Sequence, residues 1–597
     1  MRIADYISST LSELGSNCYM VTGGGAMHLN DAFGKSKMNI IYCHHEQACS
    51  MAAEAEARLT RIPAVVNVTT GPGGINAING VFGAYTDSIP MIVVSGQVKR
   101  ETLVRSYTTP WRQIGDQEVD IIKMVEGVTK YSICVTDPQK IRYHLEKAIF
   151  LTVNGRPGPV WLDIPIDLQG MDINPDELIG FNPNEVFTID ELGVNVLVLD
   201  LINKIKKSER PVFYIGSGIH ISGTQDLFLK IANKLNIPVV TAWNSNDLIE
   251  DENPLYVGRG GTIGNRSGNF VIQSADLLIV LGSRLNIRLV SYNWSSFAPN
   301  AFKVGVDIDE NELDKPTCSF DLKIHSSLEY FLTAFSSEID VIKSDSFPDF
   351  SNWINWGKER LLKYPVCLDE YWNNKETVNP YCFVDTLFDN LKDNDTVVCA
   401  DGTACVVTFQ GMKVKKGQRV FHNSGCASMG YELPAAIGAV KAYETKNRVI
   451  CVAGDGSIMM NLQELQTISG NNLPIQIFIL NNKGYHSIRQ TQRSFFSDNI
   501  VGCGTDSGLT FPSFEKVAIA FDFPYFEIKN HDDLLNILPK IINLKGRFIC
   551  EVHLDLEQHF SPKLTSKKLA DGSMVTSPLH DMWPFLNEEE LSKNIIT

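Results

Sequence analysis

Short runs of β-branched residues alternate with longer helical stretches along almost the whole chain. Runs such as PAVVNVTTG, DLLIVLG and RVICVAG have the length of a strand and are apolar nearly throughout. Such runs are typical of strands that are buried on both faces, and their alternation with helices predicts parallel sheets covered by helices on both sides. We therefore expect an α/β fold built from doubly wound parallel sheets.

Breaks in this alternation predict where the domains begin and end. Residues 171–190 are rich in Pro, Asn and Asp and have no sustained periodicity, which is typical of a linker. Another break follows near residue 345. A chain of 597 residues has room for about three or four domains of the usual size. The units that we expect are an N-terminal domain (1–170), a central Rossmann-like domain (190–345), a C-terminal domain (375–560) and a C-terminal tail (561–597).

Composition narrows the possible classes of function. The chain has 53 Lys and Arg against 69 Asp and Glu, a formal net charge of −16. This acidity argues against a nucleic-acid partner, because such partners are bound largely through neutralised phosphates. The apolar runs are too short for a membrane-spanning helix. The first residues, MRIADYISSTLSELG, lack the basic and apolar regions of a signal peptide, so we expect a cytoplasmic protein.

One turn between a strand and a helix carries most of the functional information. The run RVICVA is followed by Gly454, Asp455, Gly456 and Ser457, and then by a helical stretch. A glycine turn at this position lets backbone N–H groups converge on an anion such as a phosphate. Taken alone, the same four residues also occur as an ordinary turn, so this motif leaves both interpretations open.

The next strand-length run, PIQIFIL, is followed by Asn481, Asn482, Lys483 and Gly484. A single right-handed crossover separates the two motifs, so both should reach the carboxyl ends of neighbouring parallel strands. A carboxylate, an amide oxygen and a backbone carbonyl beside a diphosphate form an oxygen-only set of ligands, which suits Mg²⁺ better than zinc. The two motifs together predict one site for a diphosphate and a magnesium ion.

A GDG turn followed by an NN pair at this spacing resembles the thiamine diphosphate motif of the enzymes that use that cofactor, and the resemblance extends over essentially the whole chain. It implies thiamine diphosphate and Mg²⁺ as cofactors, with Asp455, Asn482 and the Gly484 carbonyl as metal ligands. It also implies that residues 1–170 bind the pyrimidine half of the cofactor and residues 375–560 its diphosphate. The further residues implied to contact the cofactor are Gly24, Gly25, Thr70, Gly73, Asn76, Asp401, Gly402, Thr403, Met429, Gly454, Gly456, Ser457 and Tyr485.

Thiamine chemistry also needs a carboxyl group that exchanges a proton with the aminopyrimidine ring. The segment CHHEQ matches the HEQ segment of the family and implies Glu46 as this catalytic acid, although a Glu in a first helical turn is otherwise an ordinary partner of the helix dipole. His45 is either a hydrogen-bonding partner of the substrate or a structural histidine. The resemblance implies that Gln117 contacts the intermediate and that Met429 bends the cofactor; the alternative for Met429 is core packing.

The family places the activating Glu and the diphosphate motif on different subunits, which implies a homodimer or homotetramer with active sites at the subunit interface. The segments IPMIVVSGQV and SMGYELPAAIGA resemble the acetohydroxyacid (acetolactate) synthase group. This resemblance implies decarboxylation of a 2-oxo acid, with pyruvate as the first candidate, and transfer of the acyl-anion equivalent to a carbonyl acceptor.

Three departures from that group bear on the acceptor. Ile166, Thr491 and Asp116 stand where the group has Lys, Trp and Phe. A small residue in place of Trp removes a large apolar wall, so the acceptor pocket should be wider and more polar, and we hypothesise a keto sugar as acceptor. Two alternatives remain: a simple decarboxylase or lyase that releases an aldehyde, and a non-catalytic thiamine-fold regulatory subunit. The intact Glu46 and Asp455 argue against the second alternative.

The central domain contains a candidate site for FAD. Gly282, Ser283 and Arg284, with Arg288, resemble the GxRxxxR segment that binds FAD in the synthase group, although its acidic pair is replaced by Asn and Ile. The nearby GSG turn is not continued as GxGxxG, so a nicotinamide fingerprint is absent. The alternative to FAD is a purely structural central domain.

Overall fold

The computed structural model describes residues 1–186, 191–343, 346–444, 446–496, 499–568 and 571–596. The end of the predicted linker (187–190), the predicted boundary at 345 and three residues of the predicted tail (569, 570 and 597) lie outside the described residues. The described chain forms three six-stranded sheets, in which every pairing is parallel, and one two-stranded antiparallel hairpin. The prediction of an α/β fold with doubly wound parallel sheets is therefore confirmed.

The N-terminal sheet has the strand order β2-β1-β3-β4-β6-β5. Its strands are β1 (Cys18–Met20), β2 (Ile40–Tyr42), β3 (Ala64–Val68), β4 (Met91–Gln97), β5 (Tyr131–Cys134) and β6 (Pro159–Pro165). The helices of this part are α1 (Ile3–Ser12), α2 (Met27–Lys35), α3 (Glu46–Thr60), α4 (Pro72–Asp87), α5 (Ile121–Val125), α6 (Ile141–Val153) and α7 (Ile166–Gln169). Every residue of β3, β4 and β6 is buried, because helices cover both faces, and this burial explains their continuous apolar sequences.

The central sheet has the order β12-β11-β10-β7-β8-β9. Its strands are β7 (Pro211–Ile215), β8 (Val239–Thr241), β9 (Tyr256–Arg259), β10 (Leu277–Leu281), β11 (Phe302–Asp307) and β12 (Leu322–His325). The helices are α8 (Val194–Ile205), α9 (Gly218–Ser222), α10 (Gln225–Leu235), α11 (Arg266–Ser274), α12 (Ile287–Val290), α13 (Glu310–Leu313), α14 (Leu328–Val341) and α15 (Ser351–Lys363). The order reverses between β7 and β10, so a crevice is expected at their carboxyl ends.

The C-terminal sheet has the order β14-β13-β15-β16-β18-β17. Its strands are β13 (Thr396–Cys399), β14 (Arg419–Phe421), β15 (Val449–Gly454), β16 (Ile475–Asn481), β17 (Tyr525–Ile528) and β18 (Phe548–His553). The helices are α16 (Pro380–Asn390), α17 (Thr403–Gly411), α18 (Glu432–Ala442), α19 (Glu464–Gly470), α20 (His486–Phe496), α21 (Phe514–Ala520) and α22 (His531–Ile541). The strands β15 and β16 are neighbours, as the spacing of the GDGS and NNKG motifs predicts.

The last part of the chain packs on the central sheet. It contains the hairpin of β19 (Ser566–Lys568) and β20 (Met574–Thr576) and the short helix α23 (Glu588–Ser592). The Leu564 N–H donates to the Thr262 carbonyl at 2.7 Å, and the Ile596 N–H donates to Ser274 Oγ at 3.0 Å. Met582 is fully buried. These contacts attach the tail to α11 and its surroundings.

The helices α3 and α18 join the N-terminal and C-terminal sheets. Both are rich in Ala, and a Cβ added at Gly438 of α18 would lie 2.1 Å from the carbonyl oxygen of Ala52 in α3. Only glycine permits this approach of the two backbones. One hydrophobic core is shared by the N-terminal and C-terminal parts, and another by the central and C-terminal parts. The C-terminal sheet is therefore packed against both of the other units.

A buried cluster of charged groups lies beside this helix pair. Arg58 pairs with Glu54 and with Asp87, whose Oδ2 lies 2.7 Å from Arg58 Nη2. The Tyr431 hydroxyl donates to Glu54, and the Gly425 N–H donates to Asp87 Oδ1 at 3.1 Å. The Arg58, Glu54 and Asp87 side chains are at most 7% exposed. Removing Arg58 would leave two carboxylates in the interior with reduced compensation.

We expect Arg58→Met to lower the free energy of unfolding by about 3 kcal/mol, because breaking a buried ion pair leaves an uncompensated charge. Thermal unfolding followed by circular dichroism measures the effect. The control is Lys35→Met, which removes an exposed pair with Asp31 and should change stability little. An unfolding temperature of Arg58→Met equal to that of the control would contradict this account.

Candidate active site

The predicted catalytic acid lies at the carboxyl edge of the N-terminal sheet. Glu46 is the first residue of α3, directly after the loop that follows β2. The Asn76 side chain in α4 donates from Nδ2 to Glu46 Oε2 at 3.0 Å. A Cβ at Gly73 would lie 3.5 Å from Glu46 Oε1, so the start of α4 lies against the same carboxyl group. Glu46 is half-buried, so its carboxyl group is oriented and still reachable.

The glycine loop after β1 lies on the loop after β3. The Gly25 N–H donates to Thr69 Oγ1 at 3.1 Å, and a Cβ at Gly25 would lie only 2.0 Å from Thr70 Oγ1. Thr70 Oγ1 is buried and has no hydrogen-bond partner within the described part of the chain. Gly24 is exposed, and beyond its neighbours in the chain none of the described heavy atoms lies within 4 Å of its Cβ position. The sequence analysis missed Thr69, which a TTG segment after a strand could have indicated.

Gln117 and His45 complete this edge. The Gln117 backbone has φ +60°, and its carbonyl oxygen lies 2.1 Å from the Cβ position of Gly71, immediately before α4. The His45 ring accepts from the Gln47 N–H at Nδ1, at 3.1 Å, and thereby caps α3. Its Nε2 therefore carries the proton of the neutral ring. The Nδ1 of His45 therefore has a structural role as a helix cap, and Nε2 remains free of this cap for a substrate.

The predicted magnesium ligands lie together at the carboxyl edge of the C-terminal sheet. Asp455 Oδ1 accepts from the Gly456 N–H and Asp455 Oδ2 from the Gly484 N–H, each at 2.8 Å. Burial raises the pKa of the Asp455 carboxyl to about 7. Asn482 donates from Nδ2 to Thr403 Oγ1 at 3.1 Å. Asn482 Oδ1 is buried without a hydrogen-bond partner among the residues that the structure describes.

This donor set fits a divalent cation. The Gly484 carbonyl accepts one hydrogen bond, from the His486 N–H at 3.0 Å, and keeps a second lone pair. A buried carboxylate and the unpaired Oδ1 of Asn482 both gain a partner if a cation binds between them. All three donors are oxygens, as Mg²⁺ prefers.

Two loops surround this position. The GDGS turn begins at Gly454, the last residue of β15. A Cβ at Gly456 would lie 2.3 Å from Cε1 of Tyr485, so the tyrosine ring lies directly on this turn. Gly402 has φ +85° and ψ −135°, a conformation open to glycine, and Thr403 begins α17. Burial raises the pKa of the Asp401 carboxyl.

Ser457 of the GDGS turn bonds to the start of α18, and Met429 lies just before that helix. Ser457 Oγ donates to Glu432 Oε2 and accepts from the Gly430 N–H, each at 2.8 Å. The Ser457 hydroxyl therefore has its donor and one acceptor position occupied by groups of the protein. Met429 is half-buried and is not part of any of the four hydrophobic cores formed by the described residues, which disfavours the core-packing alternative.

Direct polar contacts between the two groups of residues are missing within the described part of one chain. Across the described residues, no hydrogen bond or ion pair joins Glu46 or Asn76 to Asp455, Asn482 or Gly484. One hydrogen bond between the segments that carry them runs from the His44 N–H to Glu464 Oε1 of α19, at 3.1 Å. The structure thus brings the predicted residues together in two half-sites, one on each sheet.

Apart from the two half-sites, a polar crevice lies where the central sheet reverses its strand order. A cavity of about 360 Å³ is lined by Gly218, Gly282 and Arg284, and by Asp307 at the end of β11. It adjoins a smaller cavity of about 40 Å³ that reaches Arg288. The backbones approach closely, since a Cβ at Gly216 would lie 2.2 Å from the Gly282 carbonyl oxygen. These cavities lie where α/β sheets bind nucleotides.

Two further polar groups line this crevice: Ser283, which belongs to the predicted FAD segment, and Asp307, which the sequence did not single out. Ser283 Oγ is buried and, among the described residues, has no hydrogen-bond partner. Burial raises the pKa of the Asp307 carboxyl to about 6. The signal for Asp307 was an acidic residue at the end of the strand-length run KVGVDID, a position from which nucleotide-binding domains contact a ribose.

Comparison with known protein families finds three matches along the chain. Residues 1–124 match the N-terminal TPP binding domain of thiamine pyrophosphate enzymes, residues 198–335 the central domain, and residues 401–552 the C-terminal TPP binding domain. In the part of the chain that the structure describes, every helix is too short or too polar to cross a membrane.

Individual relatives of the chain are named acetolactate synthases. The chain is 28% identical to acetolactate synthase 1, chloroplastic, of Nicotiana tabacum, over 92% of this chain and 81% of the relative. It is 29% identical to the acetolactate synthase large subunit of Lactococcus lactis, over 94% and 93%, and to a probable acetolactate synthase large subunit of Methanococcus aeolicus, over 95% and 93%. The chain therefore belongs to the thiamine pyrophosphate enzymes, as an acetolactate synthase-like member that forms carbon–carbon bonds.

Proposed function

We propose that this protein decarboxylates a 2-oxo acid, with pyruvate as the first candidate, and transfers the acyl-anion equivalent to a carbonyl acceptor. The overall reaction is redox-neutral: the donor loses CO₂, a carbon–carbon bond forms at the acceptor carbonyl carbon, and the acceptor oxygen takes up a proton. The observation that carries the proposal is the pair of polar half-sites, Glu46 with Asn76 and Asp455 with Asn482.

The two half-sites have different roles in the proposed reaction. When bound, thiamine diphosphate supplies the electron sink for decarboxylation. Glu46 holds and moves a proton at its carboxyl group, and Asn76 orients that group. Asp455, Asn482 and the Gly484 carbonyl would hold Mg²⁺, and Gly24 leaves open space for the reacting atoms.

We further propose that the enzyme is a homodimer or a pair of dimers, in which the Glu46 half-site of one chain faces the Asp455 half-site of another. The lack of direct hydrogen bonds and ion pairs between the two half-sites, among the described residues of one chain, supports this arrangement. Exposed apolar side chains lie beside both, namely Ile75 and Phe82 on α4 and Met460 after the GDGS turn. Large exposed apolar groups are typical of surfaces that bind another protein.

The domain ranges and the cytoplasmic location stay predictions from the sequence.

For the central crevice we propose a dinucleotide, with FAD as the candidate. Gly218 and Gly282 line the cavity without side chains, and Asp307 on the same wall would accept hydrogen bonds from a ribose. The unpaired Ser283 Oγ would gain a partner. Because the proposed reaction is redox-neutral, the dinucleotide would support the structure of the site.

The acceptor that we propose is larger than pyruvate, namely a keto sugar. Thr491 is exposed on α20, and its hydroxyl bonds to the Ser487 carbonyl of the same helix at 3.0 Å, so no bulky side chain fills this position. Asp116 is exposed and Ile166 is half-buried at the start of α7. Small and polar groups at these positions support a wide pocket.

Glu46→Gln should lower 2-oxo acid turnover by about 10²-fold or more, because the amide cannot exchange the proton. Consumption of pyruvate by the protein loaded with Mg²⁺ and thiamine diphosphate measures the effect. Glu13→Gln, at an exposed position after α1, is the control and should retain full turnover. Unchanged turnover in Glu46→Gln would show that the proton relay assigned here is wrong.

The same variant tests the shared site when it is co-expressed with Asn482→Ala. Mixed dimers contain one intact site if each site combines two chains, and activity should return although both parents are inactive. If mixed dimers stay as inactive as the parents, each site lies within one chain and the dimer proposal fails.

Asp307→Ala should lower the amount of FAD that co-purifies with the protein, because the ribose loses a charged hydrogen-bond acceptor. Visible absorbance and mass spectrometry of the released nucleotide give the FAD content per chain. The control is Asp314→Ala, an exposed carboxylate in the same domain. A wild-type protein that takes up no FAD even when incubated with it would favour a purely structural central domain.

Thr491→Trp should lower kcat/KM for keto sugar acceptors by about tenfold or more and affect pyruvate as acceptor less, because the indole narrows the pocket. Product formation with each acceptor, followed by mass spectrometry, measures this ratio. Thr491→Val, which preserves the size of the side chain, is the control. An equal loss with all acceptors would contradict the wide pocket, and release of aldehyde alone would favour a simple decarboxylase.

A further inference from the structure

The segment between β4 and α5, residues 98–120, is here called the β4 loop. The Gln97 side chain donates from Nε2 to the Val119 carbonyl at 3.0 Å and so closes the loop at its base. The Glu118 carboxylate accepts three backbone N–H groups, from Val104 at 2.5 Å and from Ile114 and Gly115 at 3.1 Å. The loop is therefore held together by its own hydrogen bonds.

The β4 loop lies on the same edge as the catalytic acid. The carbonyl of Gln117 contacts Gly71, directly before α4. Two residues later Gly73 contacts Glu46, and Asn76 donates to it. A ligand of the β4 loop would thus be bound close to the half-site that contains Glu46.

A cavity of about 230 Å³ lies between the β4 loop and α5, and cationic side chains line it. Arg105 lies 3.6 Å from Asp120, and Lys123 lies 3.3 Å from the same carboxylate. Arg112 is exposed and makes no hydrogen bond or ion pair with the described residues. Arg112 is therefore available for an anionic ligand.

The acidic groups of the cavity are already engaged. Asp120 forms ion pairs with two cations, although its Oδ1 accepts no hydrogen bond from the described residues, and the Glu118 oxygens are occupied by backbone N–H groups. The third, Asp163, accepts from Ser95 Oγ and Gln97 Nε2 at 2.6 and 2.9 Å. Burial raises the pKa of Asp163 to about 7, so its negative charge is reduced at neutral pH. The cavity wall thus favours an anion.

Aromatic rings lie beside Arg112. Trp111 lines the cavity and is 48% exposed, and Tyr107 is 47% exposed. The two rings are arranged edge to face, with their centroids 5.4 Å apart. Exposed aromatic rings next to an arginine suit a ligand that joins a planar base to a phosphate. A simple 2-oxo acid has a carboxylate but no ring to stack on Trp111.

We propose that the β4 loop binds the nucleoside diphosphate part of the acceptor, with Arg112 on a phosphate and Trp111 against the base. This inference rests on the proposed function, because it makes the acceptor a keto sugar carried on a nucleoside diphosphate. The sugar carbonyl would then be presented to the Glu46 half-site, and Arg112 and Trp111 would set which acceptors are used.

Isothermal titration calorimetry tests the proposal on protein saturated with thiamine diphosphate, Mg²⁺ and FAD. The probes are the diphosphates of adenosine, guanosine, cytidine, uridine and thymidine, and inorganic diphosphate. At least one nucleoside diphosphate should bind, and it should bind more tightly than inorganic diphosphate. Arg112→Ala and Trp111→Ala should each weaken this binding by about tenfold or more.

The controls are Arg142→Ala, a partly exposed arginine on α6 that pairs with Glu146, and Trp294→Ala, which is 43% exposed in the central domain. Neither should change the affinity. No binding of any nucleoside diphosphate, or binding that the Arg112 and Trp111 variants leave unchanged, overturns the inference. Equal affinity for inorganic diphosphate overturns the role of Trp111 and of the base.

A separate measurement distinguishes this inference from the proposed function. Pyruvate and other 2-oxo acids are supplied without acceptor, and release of CO₂ is followed. No release with any donor, together with nucleotide binding that depends on Arg112, would overturn the proposed reaction and leave the nucleotide site standing. Release of CO₂ without nucleotide binding would overturn the nucleotide site alone.

Discussion

The close packing of α3 on α18 is the contact on which the rest of the structure depends. Gly438 lets the two backbones meet, because any side chain there would collide with the Ala52 carbonyl. The helix α3 begins at Glu46, and α18 begins at Glu432, which bonds to Ser457 in the GDGS turn. Each half-site is thus attached to one end of the same helix pair. A change in the distance between the helices would therefore move both half-sites relative to each other.

Much of the fold, and the position of the polar residues of each half-site at the carboxyl edge of a sheet, could be predicted from local sequence. Continuous apolar runs identify strands buried on both faces, and the NN pair after the next strand places Asn482 beside Asp455. The partners of these residues could not be predicted, because they come from distant segments. The capping role of His45, the use of the Ser457 hydroxyl by Glu432 and the unpaired Oδ1 of Asn482 all depend on the folded geometry.

The central domain is bonded directly to the C-terminal sheet through a buried carboxylate. Its His220 and the Arg419 side chain of β14 both bond to Asp247, at 2.7 and 2.9 Å, and the Val420 N–H donates to the same carboxylate. The two neighbours hold the pKa of the Asp247 carboxyl well below its usual range, although burial opposes this. The crevice at the end of the central sheet is thereby fixed relative to the C-terminal sheet.

The buried Asp87 carboxylate connects all three parts of the chain. It pairs with Arg58 of the N-terminal part, accepts from the Gly425 N–H of the C-terminal part and lies 3.5 Å from Arg284 of the central part. A recombinant chimaera that exchanged one unit for that of a relative would break this junction unless the matching residues were transferred with it. In evolution, substitutions at Asp87 and Arg284 are accordingly expected to be inherited together, although they lie in separate domains.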